Sequence, residues 1–228
     1  MHKAGWMLWS WLICTQLWAA GADWKLIHDE PDLRVWIRPE PGSTVAAFRG
    51  ETWVPASLDA VLALTADPKA CPRWIYQCRH AEVLERHGFH RRLTYQVNDM
   101  PWPAQDRDIV LEVTIRELSP GGAVRVDMIS RPDALPDRGL VRVQRSRGHY
   151  TLTPERGGVR VVWEQHTDPG GALPGWLVNQ LLENLPEQTL RGLARLAIQP
   201  PYSRAHLARD AQGRIAGWLG SNWLALKR

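Results

Sequence analysis

Trp102-Pro103-Ala104-Gln105-Asp106-Arg107-Asp108 and Asp168-Pro169-Gly170-Gly171-Ala172-Leu173-Pro174-Gly175-Trp176-Leu177-Val178-Asn179 are the two stretches that decide the fold. The first opens a strand. Arg107, Ile109, Leu111, Val113 and Ile115 fall on one face, with Asp108, Glu112, Thr114 and Arg116 mostly opposite, the period of two that a half-buried strand imposes. The second is a turn that launches a long helix. Pro174 suits a first helical turn, and Trp176, Leu177, Leu181, Leu185, Leu193 and Leu196 give the helix one broad apolar face. Pro186 falls in its interior, where a proline removes a hydrogen bond and crowds the preceding turn, so a kink is expected. Gln199-Pro200-Pro201 ends it.

Upstream, Leu33, Val35 and Ile37 alternate with Arg34, Trp36 and Arg38, and a turn at Pro39-Glu40-Pro41-Gly42-Ser43 leads to a second strand over Thr44–Val54. Ser57 is placed to cap a helix carrying Leu58, Val61, Leu62 and Thr65 on one face, ended by Asp67-Pro68. A short helical segment spans Cys71–Tyr76. After the His87-Gly88 turn, Phe89, Leu93, Tyr95 and Val97 share a strand face with Arg91. Ser119-Pro120-Gly121-Gly122 turns the chain into a strand over 123–129. A polar loop over 132–139 precedes strands over 140–144, 148–153 and 159–167. No helix of crossover length separates these strands, so the pairing is antiparallel. The pattern predicts an α+β fold: a curved antiparallel sheet wrapped around a long C-terminal helix. Such an arrangement leaves an internal apolar cavity, a container for a greasy ligand.

A length of 228 residues suits one domain. The apolar share of 44% and charged share of 23% are ordinary, although 13 Trp against 2 Phe is unusual. The formal charge of +4 falls by one when a leader carrying Lys3 is removed, and the arginines are spread along the chain. Nucleic acid is therefore not an expected partner. Residues 1–22 read as a signal peptide: Lys3, an apolar stretch from Trp6 to Trp18, and Ala20-Gly21-Ala22 before Asp23. This places the protein outside the cytoplasm, in the periplasm, with an uncleaved membrane anchor as the alternative. Residues 23–200 form the domain and 201–228 a basic amphipathic tail. Its Ile215, Trp218, Leu219, Trp223, Leu224 and Leu226 either rest on a membrane or pack back on the domain.

Without Cys14 the mature chain holds Cys71 and Cys78, a disulfide candidate in an oxidising compartment. A straight helix would hold them about 10 Å apart. Pro72 allows a bent path, and two buried thiols are the alternative. His87-x-x-His90 lacks a third metal ligand. Ser119 and Ser146 lack the His and Asp arrangement of hydrolases. No catalytic residue, cofactor or metal is expected.

Trp74, Trp102-Pro103 with Asp106-Arg107-Asp108, and Asp168-Pro169-Gly170-Gly171 running into Leu173-Pro174 and Val178-Asn179 resemble the START (StAR-related lipid-transfer) family, of the secreted or periplasmic bacterial type. The resemblance covers about Trp24 to Gln199. It implies the helix-grip fold and a lipid or other hydrophobic small molecule as ligand, carried or sensed in the cell envelope by a monomer in transient contact with a membrane. Some sterol-carrying relatives place an arginine six residues after that of the Arg-Asp pair. Val113 stands there instead, so that polar floor is missing or built differently, and cholesterol is not implied.

The cavity candidates are Trp74, Tyr95, Trp102 and Trp163, as amphipathic aromatics, with Leu111, Val113 and Leu181 from the apolar faces. Arg107 either meets a ligand headgroup or forms a structural ion pair with Asp106 or the Asp168 turn. Arg142 and His166 face either ligand or solvent. Gly170-Gly171 reads as a turn needing positive φ. With Pro186 it offers pivots for the helix, and the Met100–Gln105 loop is a second moving part. The alternative function is an aromatase/cyclase-like enzyme of the same fold, with Arg107, Tyr95 or His166 handling protons; the export signal argues against it.

Overall fold

The computed structural model describes residues 23–171 and 173–219. The signal peptide read in 1–22 and the tail residues Trp223, Leu224 and Leu226 lie outside the described residues. The chain runs β1 (Lys25–Glu30), β2 (Leu33–Arg38), β3 (Ala47–Val54), α1 (Leu58–Ala66), α2 (Cys71–Trp74), β4 (Cys78–His87), β5 (Arg91–Asn98), β6 (Arg107–Glu117), β7 (Val124–Ser130), β8 (Val141–Arg142), β9 (Arg145–Glu155), β10 (Gly158–Asp168), α3 (Gly175–Ala197), β11 (Leu207–Arg209) and β12 (Ile215–Trp218). One sheet has the order β1-β2-β3-β10-β9-β7-β6-β5-β4, antiparallel throughout, with the short β8 parallel to β6. The α+β helix-grip architecture is the one the sequence predicts.

Two strands of this sheet escape the sequence reading. β1 and β4 form the two edges of the sheet, where charged residues such as Lys25, Asp29, Glu30, Arg79, Glu82 and Glu85 replace the alternation that marks a half-buried strand. Both edges carry bulges, between Leu26 and His28 in β1 and at two places in β4. α1 also differs from expectation. Ser57 Oγ accepts from the Ala60 amide as an N-cap, but Leu58, Ala60–Leu64 and Ala66 are all buried. Its alanines leave no polar face, and α1 packs among β9, β10, α3 and the C-terminal segment.

Of the residues read as a tail, 201–219 are described, and they follow the second of the two readings, packing back on the domain. β11 and β12 form a hairpin whose Leu207 and Ile215 join the main core. The Leu207 amide donates to Asp59 Oδ2 (2.9 Å) and the Ile215 amide to Glu117 Oε2 (2.7 Å), while the Trp218 ring meets Phe89 edge-on at 5.3 Å. Cys71 and Cys78 are disulfide-bonded with Cα atoms 5.8 Å apart, because α2 stops after four residues and Gln77 turns the chain at φ 59°.

α3 is continuous through Pro186. Its C-terminal half is fixed at several points. A side chain at Gly192 would come within 2.5 Å of the Trp74 carbonyl oxygen, and one at Gly50 within 2.5 Å of Leu190 Cδ1, so both glycines permit close approach of α3 to α2 and β3. Buried Thr189 Oγ1 accepts from the Tyr76 amide (3.1 Å), and Arg191 pairs with Glu30, Asp32 and Glu187. Among the described residues, no side-chain hydrogen bond or ion pair ties 175–185 to the sheet.

Candidate functional site

The untied half of α3 roofs the main pocket. Val178, Leu181, Leu182 and Leu185 face Phe48 of β3, Ile109 and Leu111 of β6, Met128 of β7, Tyr150 of β9 and Trp163 of β10 across a cavity of about 180 Å³. Period-two strands put these apolar residues on one concave face. Trp163 anchors that face: Phe48 meets its ring edge-on at 4.7 Å and Tyr150 stacks on it at 5.2 Å. Burial pushes the Tyr150 hydroxyl well above its ordinary pKa, so it stays neutral.

Polar groups gather at one end, where β5 and β10 finish and β6 begins. Gln96, Asn98, Arg107, Gln165 and Thr167 line the pocket there. Gln96 Nε2 donates to Asn98 Oδ1 (2.7 Å). Trp163 Nε1 donates to Gln165 Oε1 (3.0 Å), Gln165 Nε2 to Thr167 Oγ1 (2.8 Å), and Thr167 Oγ1 lies 2.8 Å from Ser146 Oγ. Arg107 donates from Nη1 to the Gln105 carbonyl and from Nη2 to the Gly170 carbonyl (3.3 Å), while its buried Nε has no partner. Burial lowers the Arg107 pKa and the Asp106 charge opposes that shift. Gly170 and Gly171 have φ of 68° and 64°, the positive values the turn reading requires, and Asp168 Oδ1 accepts from the Gly170 amide.

Below this lies a second pocket of about 90 Å³, which shares Ile75, Gln96, Leu111, Met128 and Tyr150 with the first. Trp74, Arg92, Thr94 and Val113 belong to its wall. Val113 pairs in register with Arg92, so the cation at this level comes from the neighbouring strand.

Of the sequence candidates, Arg107, Leu111, Trp163 and Leu181 line the main pocket, and Trp74, Leu111 and Val113 the deeper one. Four are placed elsewhere. Tyr95 packs with Val97 and Val110 on the convex side of the sheet, beneath Leu135 and Leu140, so the apolar face of β5 meets a loop and not the cavity. Arg142 lies on that same side and grips Asp108 (2.6 and 2.9 Å) and the carbonyls of Pro132, Leu135 and Pro136. His166 alternates outward from Gln165 and Thr167 and borders an outer cleft with Glu40, Arg145 and Arg147. Trp102 is 89% exposed.

Of the partners expected for Arg107, it meets the Asp168 turn, through the Gly170 carbonyl, and not the Asp106 carboxylate. Asp106 holds Arg79 (2.6 Å) and the Met100 amide (3.0 Å), and Asp108 holds Arg142. Sequence reasoning missed Arg92, Gln96, Asn98, Gln165 and Thr167, which as polar residues in alternation read as a solvent face. Among the described residues, no His, Asp or Glu lines the main pocket, and no three His, Cys, Asp or Glu side chains gather to hold a metal.

A concave sheet gripping a helix over an apolar pocket with one polar end defines a helix-grip binding domain. The family model described as START domain matches residues 14–193, and the chain belongs to the START family. It is 35% identical over 181 residues to an uncharacterised protein of Pseudomonas aeruginosa, covering 78% of this chain and 89% of the relative. The crystal structure of a STAR-related lipid transfer protein from Xanthomonas axonopodis superposes with a TM-score of 0.71 at 34% identity, covering 77% of this chain and 99% of that one. Human phosphatidylcholine transfer protein is 22% identical over 194 residues, covering 81% of this chain and 90% of the relative.

Proposed function

We propose that this protein binds a lipid or other hydrophobic small molecule between the sheet and α3, and carries or senses it in the cell envelope. The observation that carries the reading is the pocket itself: an apolar wall of Phe48, Leu111, Trp163 and Leu181 ending in the polar cluster around Arg107, Asn98 and Thr167. This is the chemistry of an apolar body with one polar end. The bacterial and human relatives named for lipid transfer support it.

An acyl chain in water costs about 0.8 kcal/mol per CH₂, and a sheltered pocket removes that cost. At about 180 Å³ the cavity is smaller than the roughly 300–1,000 Å³ of small-ligand pockets, so the ligand is admitted by displacement of the untied half of α3. Pro186 and the Gly170-Gly171 turn are the pivots. Trp102 and Trp176, 89% and 54% exposed, lie two residues from Met100 and Val178 of the pocket wall and meet the membrane during exchange, as amphipathic aromatics do. The leader read in 1–22 directs the domain, as a monomer, to the periplasm. Among the described residues no helix is long and apolar enough to cross a membrane. The aromatase/cyclase alternative loses Tyr95 and His166, which lie outside the pocket.

The test is mass spectrometry of an organic extract of the purified protein, followed by transfer of a fluorescent phosphatidylcholine between vesicles. A stoichiometric hydrophobic ligand, and transfer that slows several-fold in Trp102→Ala/Trp176→Ala, are expected. Repeated extracts free of any hydrophobic molecule, with no transfer above the vesicle background, would overturn the reading.

A further inference from the structure

The two pockets meet at one ring of side chains. Ile75, Gln96, Leu111, Met128 and Tyr150 border both. Ile75 follows α2, and the others stand on β5, β6, β7 and β9. The boundary is therefore built from separate elements that close on one another, with Ile75 facing the sheet residues from the α2 side.

The members of the ring are held to different degrees. Tyr150 is stacked on Trp163 at 5.2 Å. Gln96 donates to Asn98 Oδ1 (2.7 Å). Ile75 sits in the short loop closed by the Cys71–Cys78 bond. Met128 is the adaptable member: it is unbranched and turns about three side-chain bonds. Its register neighbour on β9 is Gly148, which presents no side chain to brace it. Beyond the ring the deeper pocket of about 90 Å³ continues between Trp74, Val113 and Val126 and the inner residues Ala81 and Val83 of the edge strand β4. Arg92 on that wall donates to the Thr65 carbonyl (3.1 Å).

We infer that Met128 and Ile75 form a gate that sets the length of apolar chain this protein accepts. A ligand with its polar end among Arg107, Asn98 and Thr167 runs down the main pocket as far as the ring. A longer one has to push Met128 aside to place its end in the deeper pocket. The inference rests on the binding reading above and adds to it the residues that fix chain length.

The test loads the full chain, stripped of bound lipid, from vesicles carrying an equimolar series of saturated fatty acids from octanoate to octadecanoate. Native mass spectrometry reads the bound distribution. Each methylene kept from an apolar site costs about fourfold in affinity. Wild-type occupancy is thus expected to fall, beyond one chain length, by up to about fourfold per added carbon. In Met128→Ala, and in Ile75→Ala, which opens the ring from the other side, the fall begins roughly two carbons later. Val113→Leu, which fills space beyond the ring, changes nothing alone and cancels the shift when combined with Met128→Ala. Should one alanine variant fail to fold, the other decides. A wild-type distribution without a fall, a fall that the alanine variants leave in place, or a Val113→Leu variant that by itself shortens the preferred chain overturns the gate and leaves the binding reading standing. Loading of no fatty acid also overturns the gate, and the binding reading falls with it where the organic extract is empty too.

Discussion

Arg142 shows how one side chain settles a piece of structure far from any ligand. Its guanidinium lies against a fully buried Asp108 carboxylate and takes three loop carbonyls besides, pinning 132–136 over the convex face of β5 and β6. Removing one partner of such a pair strands the other in a low-dielectric setting. Asp108→Ala is therefore expected to lower stability by roughly 3–5 kcal/mol in urea titration, with ligand affinity unchanged. Asp106 and Asp168 make smaller, pH-dependent ties at the mouth. The Met100 amide, then Arg79, holds the Asp106 carboxyl below its ordinary 3.8; Arg145, then the Gly170 amide, does the same for Asp168. A depressed carboxyl contributes stability that is fully present above the unfolded value and is lost as pH falls through the folded one. Amide exchange protection at Met100 and Gly170 is expected to hold above the ordinary 3.8 and to fall progressively as pH drops below it, with the rest of the sheet still protected.

Among the α-helices, α2 is the shortest and is held at both ends. The Cys71–Cys78 bond closes a short loop around it, and reduction is expected to cost about 2–3 kcal/mol by loop entropy, read as a lower denaturant midpoint in the presence of a phosphine reductant. Gly192 holds α3 against α2 through backbone atoms that have no slack, so Gly192→Ala should cost about 1–3 kcal/mol by the same measurement. β6 and α3 were legible in the sequence because each carries one continuous apolar face, which periodicity reports directly. β5 was not. Its apolar Leu93, Tyr95 and Val97 do mark a buried face, but alternation does not say which layer covers it, and here the cover is a loop carrying Leu135 and Leu140. The opposite face, with Arg92, Gln96 and Asn98, resembled a solvated one because a pocket with polar demands selects the same residue types as water does. The edge strands β1 and β4 were invisible for a related reason: little of either is buried.

At the scale of the molecule, α3 divides the domain into a fixed part and a movable one. Its C-terminal half is locked by Gly50, Thr189, Arg191 and Gly192, and the half that roofs the pocket meets the sheet, among the described residues, through apolar contact. Ligand binding is expected to raise exchange protection across 175–185 far more than across 189–197, in a comparison of stripped and loaded protein. The sheet itself ends on both sides in a strand studded with charge and broken by bulges. Exposed strand borders are templates on which a second copy can add its own backbone, and charge and irregular pairing spoil the template. A chain that must lend its greasy interior to passing molecules thereby keeps its rims from knitting into fibres, and light scattering of concentrated samples held below the melting point should stay flat.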